Sequence, residues 1–420
     1  MQRRITRTLL MGTLAAATAV ALVGCGSGFS SGSSGGSSSS PSGLTSSADP
    51  LTVLIGSSGD AETKAVSDAV SAWSQSSGTK ASVIPANNLD QQLAQGFSAK
   101  KPADVFYLST NALAGYASNG SLLAYGDQLT NKSDFYPSLV KSFTYDGQLY
   151  CAPKDFSTLQ LVINNTLWQQ AGLTSADYPK TWDQLEAVAK KLTTGGHVGL
   201  SMNGQYERMG AFMVEAGGNL MNADSTKATA NSQANIDALS YVKKLLTDGS
   251  LKFAADLGEG DGGQALGSGK AAMTVEGNWV TGELANDFPN VKYTVVPMPS
   301  GAKGQGTLQF SNCWGIAADS PNQKAALSLV EKLTSASDQL AFSKAFGVLP
   351  SIQSAADQWK QQNPTLVPFL DGANYAQGVP AAKGAAQVVA DLDGKLAQLK
   401  SQDPKTLLDQ AQKNFAALTK

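Results

Sequence analysis

Histidine is almost absent from the 420-residue chain, with His197 the single one, and cysteine is scarce at three. One imidazole excludes His-rich metal sites and leaves little for histidine acid–base chemistry. Three cysteines over this length exclude a small disulfide scaffold. Charge is thin at 15% of residues, and Lys plus Arg (31) against Asp plus Glu (33) leaves a formal net charge of −2. A nucleic-acid footprint needs a basic excess, so no nucleic acid is expected as a partner. Low charge does not imply disorder, because 42% of positions are hydrophobic, enough for a globular core. At roughly 150 residues per domain, the length suggests two or three domains.

No apolar run reaches the ~20 residues that a membrane-spanning helix needs. The stretch "LLMGTLAAATAVALV" follows Arg3, Arg4 and Arg7 and ends at Gly24-Cys25. A basic start, an apolar stretch and a small-residue site together read as a cleaved export signal over 1–24. Leu22-Val23-Gly24-Cys25 resembles a bacterial lipobox, so Cys25 is the expected lipidation site and membrane anchor. Loss of the signal removes three arginines and no acid, leaving a net charge of about −5. Residues 25–50 are Gly/Ser-rich and read as a flexible tether that buries nothing.

After Pro50, strand-like runs alternate with helical periods. "LTVLI" (51–55), "ASVIP" (81–85) and "DVFYL" (104–108) read as strands. Between them lie Ala61–Gln75, with Val66, Ala69, Val70 and Trp73 at helical spacing, and "LDQQLAQGFSAK". Strand, helix, strand, helix, strand predicts a parallel α/β sheet. Thr181-Trp182-Asp183-Gln184 reads as a capping box at a helix start. Further strands are expected at 159–163, 271–275, 292–298 and 314–318, and helices near 233–247, 322–334, 337–346 and 380–399.

The order of five blocks carries a resemblance. These are "GQLYCAPKDFSTLQLVINNTLWQQAGL", "YPKTWDQLEAVAKKLT", "GKAAMTVEGNW", "VVPMPSG" and "WGIAADSPNQKAALSLVEKLTSASDQLAFSKAFGVLPS". In that sequence they closely resemble extracellular solute-binding proteins of ABC importers, and residues 51–420 are similar to the sugar-binding group that contains maltose-binding protein. The resemblance implies an α/β, two-lobed periplasmic-binding-protein-like fold with a hinge and an interlobe ligand cleft. Lobe one is then 51–155 plus 314–347, and lobe two 158–311 plus 352–420. It also implies a monomeric receptor, lipid-anchored on the outer face of the cytoplasmic membrane, that binds a carbohydrate and delivers it to permease subunits. No enzymatic activity, cofactor or metal goes with that role. Cys151 and Cys313 fall on segments that the family brings together at the hinge, so a disulfide is expected there, with two buried thiols as the alternative.

Sugar recognition uses flat apolar faces for the C–H side of the ring and convergent amides or carboxylates for the hydroxyls. By the resemblance, Trp279 in "EGNW" is the stacking residue, the competing role being a core tryptophan beside the next helix. Tyr206 and Glu207, upstream of "EAGG", are cleft candidates, or else part of a solvated loop. Thr110 and Asn111 follow the 104–108 strand at its carboxyl end, where parallel sheets present ligand groups. Asp60 follows the first strand similarly, although an Asp there also serves a helix start. Asp155, Phe156 and Ser157 mark the first chain crossing, and Ser311, Asn312 and Trp314 the second, both candidate cleft floor. Tyr375 is a further aromatic candidate. The segment "VPAAKGAAQVVA" departs from the group, which carries a stacking tryptophan there, and this argues against a maltodextrin.

Two other functions stand beside the sugar receptor. A same-fold receptor for a non-sugar solute, such as a polyol phosphate or a polyamine, calls for a richly charged site. An exported glycoside hydrolase needs two carboxylates roughly 5 to 10 Å apart, with Asp60 and Asp155 as the candidate pair. Nucleotide motifs fail on context. Gly258 to Gly263 matches G-x-G-x-x-G, but 251–257 reads as loop rather than as an entering strand. "QALGSGKA" has Gln264 and Ala271 where a P-loop needs Gly and Ser or Thr. Gly32 to Gly36 matches a hydrolase elbow only inside a serine tract.

Overall fold

In the computed structural model, residues 43–419 are described. The export signal, Cys25 and the tether up to residue 42 lie outside them. Among the described residues, twelve strands build the two main sheets. They are β1 (Leu51–Ile55), β2 (Ala81–Pro85), β3 (Val105–Ser109), β4 (Ala152–Pro153), β5 (Ser157–Asn164), β6 (Val198–Met202), β7 (Leu251–Phe253), β8 (Ala271–Gly277), β9 (Tyr293–Val296), β10 (Thr307–Phe310), β11 (Asn312–Ile316) and β12 (Ala376–Gly378).

The first sheet has the order β2-β1-β3-β11-β4. β1 runs parallel to β2 and β3, and β11 is antiparallel to β3 and β4. The helices Asp60–Ser77 and Leu89–Ser98 make the crossovers, as parallel pairing demands. Helix Asp60–Ser77 turns Val66, Val70 and Trp73 inward, the expected apolar stripe. It stops at Gly78, whose φ of 75° closes the last turn in the left-handed region that glycine adopts without strain. A separate apolar core surrounds this sheet, and Trp314 belongs to it: the indole is 1% exposed and meets the Tyr107 ring edge-on at 4.7 Å. Trp314 is therefore a core residue and not part of a cleft floor.

The second sheet has the order β12-β10-β5-β8-β6-β7, with β9 also pairing β5. Every residue of β5 and β8 is buried, because helices cover both faces of the sheet. The chain leaves the first sheet at Pro153, enters the second at Ser157, and returns between Phe310 and Asn312. A third crossing follows helix Ala336–Phe346, where Leu349 bridges Phe156. Beneath the crossings, Tyr136, Phe156, Leu349, Trp359 and Phe369 share a third apolar cluster. A disulfide joins Cys151 to Cys313, with Cα atoms 5.5 Å apart, just ahead of the first crossing and just after the second.

Several local expectations need correction. The end of the tether is not free: Leu44 packs on the first core, Thr45 Oγ1 donates to Ser320 O at 2.8 Å, and Lys324 N donates to Thr45 O at 3.1 Å. Apolar contact and the loop before helix Gln323–Leu333 fix residues that composition alone makes flexible. The Thr181 hydroxyl accepts from Gln184 N as a cap should, but the Gln184 side-chain Oε1 accepts from Lys180 N at 2.7 Å rather than from Thr181 N. The stretch 251–257 is not loop, since β7 pairs with β6 and a 3-10 turn, Ala254–Leu257, follows. A strand therefore does precede Gly258–Gly263. The run still offers no phosphate cradle, because Asp261 caps the following short helix and side chains of Thr274, Glu276, Val280 and Glu283 crowd Gly262 and Gly263. The helix expected over 380–399 spans Ala385–Leu396 and begins after Gly384, held at φ 85°.

Candidate functional site

A cavity of about 500 Å³ opens where the crossings meet the two sheets, a volume within the range of small-molecule sites. All three crossings contribute to its wall: Asp155, Phe156 and Ser157 from the first, Ser311 and Asn312 from the second, and Gly347 and Val348 from the third. From the first sheet come Ser109, Thr110 and Asn111, at the carboxyl end of β3. Facing them are Tyr206 and Glu207 at the start of helix Tyr206–Ala216, and Asn278 and Trp279 at the carboxyl end of β8. Phe310, Val379, Pro380 and the 385–396 helix, through Ala386, Val389, Ala390 and Asp393, complete the wall with Ser58 and Phe346.

Of the candidates read from sequence, the structure brings together Thr110, Asn111, Asp155, Ser157, Tyr206, Glu207, Trp279 and Asn312. Asp60 and Tyr375 are not in the wall. Asp60 is the exposed first residue of its helix, and Tyr375 packs beside Gln160, whose Nε2 donates to the tyrosine hydroxyl at 3.4 Å. The carboxylate pair Asp60 and Asp155 is therefore not assembled at the cavity. Tyr206 and Glu207 sit in a helical first turn rather than a solvated loop. Asn278, Phe310 and Asp393 were not singled out from sequence. Asn278 lies inside the quoted "EGNW" block, but Asp393 is one of two acids in its helix, and only the packing of that helix turns it, and not Asp391, to the cavity.

Trp279 offers the clearest apolar face. Its side chain is 42% exposed, and Phe310 meets the ring edge-on at 5.8 Å. Arg208 lies over the ring at 5.2 Å, and Arg208 Nε and Nη2 donate to the two oxygens of Glu276 at 3.1 and 2.7 Å. Burial pushes the Glu276 carboxyl up, while the guanidinium and the indole N–H pull it back. Such a bidentate, charge-assisted pair fixes geometry as well as charge.

Below the opposite wall lies a second buried ion cluster. Lys154 Nζ pairs with Asp155 and with Glu62 Oε1, the latter at 3.0 Å, and Tyr107 OH donates to the same Glu62 oxygen at 2.9 Å. Burial works against the Lys154 charge, but Asp155 and Glu62 more than offset it, and its pKa lies above the ordinary lysine value. Glu62 is held below its ordinary value, because Lys154 and the Ser58 donors outweigh burial. On the other lobe, burial and the neighbouring Glu207 push the Asp393 carboxyl up to about 6, against the Tyr206 N–H that donates to it at 2.8 Å. Among the described residues no group of three or more His, Cys, Asp or Glu side chains is placed to hold a metal ion, and no helix is long and apolar enough to cross a membrane.

Residues 70–368 match the family described as bacterial extracellular solute-binding protein. A binding protein of Brucella abortus is 23% identical over 80% of this chain and 85% of its own. The diacetylchitobiose binding protein of Streptomyces coelicolor is 25% identical over 65% of this chain and 66% of its own. Among solved structures, the cyclic alpha-maltosyl-1,6-maltose binding protein of Arthrobacter globiformis shares the two-lobed fold with a TM-score of 0.78 at 20% identity, over 88% of this chain and 98% of that one.

Proposed function

Because this chain belongs to the bacterial extracellular solute-binding proteins, we propose that it binds a carbohydrate in the cavity between its lobes and delivers it to the permease of an ABC importer. The observation that carries this reading is Trp279: a large aromatic face left 42% exposed at the cavity, across from the amide and hydroxyl groups of Thr110, Asn111 and Asn312. A flat apolar face opposed by short polar groups suits a sugar ring, apolar on its C–H side and hydroxylated at its rim. Thr110, Asn111, Asp155, Ser157, Glu207, Trp279 and Asn312 are the contacts assigned to the ligand, with the buried Tyr206 backing the wall.

The lobes are taken as 51–155 plus 314–347 and 158–311 plus 352–420, a division supported by the two sheets and their separate cores, save that Ile352 and Ala355 pack in the first core. Ligand contacts from both sides favour a closed form by differential affinity. In this reading the protein acts as a monomer, exported and tethered through a lipidated Cys25 to the outer face of the cytoplasmic membrane, and it leaves its ligand chemically unchanged. A polyol phosphate fits the wall poorly, since no Lys, Arg or His lines the cavity.

Calorimetric titration of the mature protein with mono- and oligosaccharides tests the proposal, backed by a thermal-shift screen, since a ligand specific to the folded state raises its apparent stability. Binding of at least one sugar with no product formed is the expected result. Failure of every sugar alongside binding of a phosphorylated solute overturns it.

A further inference from the structure

Resting on the reading that this cavity is a sugar site, we propose that the sugar carries a protonated amine, held by Glu207 and Asp393. The charged residues in the wall are Asp155, Glu207 and Asp393, all acidic. The buried cations next to Asp155 and Glu207 in the chain are committed elsewhere. Lys154 is paired with Asp155 and Glu62, and Arg208 with Glu276. Lys154 thus meets the Asp155 charge, whereas neither Glu207 nor Asp393 takes part in any ion pair among the described residues. Two carboxylates, one from each of two helices, remain on the same side of the cavity without a counter-charge.

The unmet hydrogen-bonding capacity of the wall has the same sign. Asn278 is 5% exposed; its Nδ2 donates to Gly347 O at 2.6 Å, and its Oδ1 has no partner. Glu207 Oε2 is shielded from solvent and also has none. Asp393 Oδ1 accepts from Tyr206 N. Both unsatisfied groups are acceptors, so the ligand must bring donors. A phosphate brings acceptors and more negative charge. A neutral polyol brings donors but leaves both carboxylates unneutralised. An ammonium group supplies three donors together with the missing charge, and charge-assisted hydrogen bonds of this kind are roughly twice as strong as neutral ones.

The test titrates the mature protein at neutral pH with four probes: a glucosamine oligosaccharide, its N-acetylated counterpart, a gluco-oligosaccharide of the same length, and spermidine. The glucosamine oligomer is expected to bind at least about tenfold tighter than either uncharged sugar. Glu207→Gln and Asp393→Asn should each weaken it at least about fivefold, and each should weaken it more than it weakens the uncharged sugars. Each variant keeps the shape of the side chain, and the amide introduced by Asp393→Asn still has an oxygen for the Tyr206 N–H, so a folded protein is expected from at least one. Uncharged sugars that bind as tightly as the amine overturn this inference and leave the carbohydrate reading standing. Spermidine binding without any sugar overturns the carbohydrate reading and with it this inference. Binding of none of the four overturns this inference.

Discussion

Trp279 Nε1 donates to Glu276 Oε2 at 2.9 Å, so an indole that is 42% exposed is held by a carboxylate that is 1% exposed. Arg208 closes the arrangement, bidentate to the same carboxylate and stacked over the ring. The orientation of the one exposed tryptophan at the cavity is therefore set from inside the lobe, before any ligand arrives. Preorganisation of this kind lowers the ordering cost of binding.

Trp279→Ala should weaken sugar affinity by ~1–3 kcal/mol, the scale of stacking and apolar burial, and change the ligand-free melting temperature little. Glu276→Gln should do the reverse in the ligand-free protein. It leaves the buried Arg208 guanidinium without its counter-charge, a loss of ~3–5 kcal/mol in folding stability for a broken buried pair. Calorimetry and ligand-free melting of both variants check the pair of outcomes.

The Cys151–Cys313 disulfide ties the ends of two crossings within the first lobe's core. Replacing both cysteines by alanine should cost ~2–4 kcal/mol of stability by releasing the constraint on the unfolded chain. The bridge lies beside the pivot rather than across the cavity, so affinity should hold. Mass spectrometry of the non-reduced, alkylated protein should find neither thiol modified.

The parallel first sheet was legible because its strands and helices differ in period, as "LTVLI" and the Val66, Val70, Trp73 stripe do. Part of the cavity wall was legible because family order places the ends of β3 and β8 and the first two crossings at the cleft. What the sequence left open was set by packing between distant segments. Asp60 opens the helix after β1 and Thr110 the helix after β3, yet one faces solvent and the other the cavity. Asn312 and Trp314 share a strand two residues apart, but Trp314 lies one step deeper, against Tyr107. Tyr375 is drawn away by Gln160, 215 residues earlier in the chain. Asp393 depends on how the 385–396 helix docks, which no local pattern reports.

Lys154 offers a second stability test. It joins Glu62, from the helix after β1, to Asp155 at the first crossing. Lys154→Met should destabilise by ~3–5 kcal/mol, because two buried carboxylates lose their cation. The double variant Lys154→Met, Glu62→Gln should lose less than the two single variants together, as expected for residues in one network. Denaturant unfolding of the three variants gives the coupling energy.

Glu215 carries the last prediction. It is 0% exposed, Trp182 Nε1 donates to its Oε2 at 2.5 Å, and its Oε1 has no partner. Burial pushes its carboxyl well above the ordinary value of 4.5, against the single indole donor. The folded protein therefore keeps a proton that the unfolded chain releases above pH 4.5. Below that pH the group costs nothing; above it, stability falls as pH rises, until the folded carboxyl itself ionises. A tenfold difference in acidity between the unfolded and the folded carboxyl is worth about 1.4 kcal/mol. Glu215→Gln keeps an oxygen beside the Trp182 N–H and cannot ionise. Its melting temperature should match that of the unmodified protein near pH 4 and exceed it progressively towards pH 8. Melting curves at matched pH check this directly, because the difference between the two proteins cancels every other titrating group, and a constant difference across that range would mean that Glu215 is ionised in the folded state.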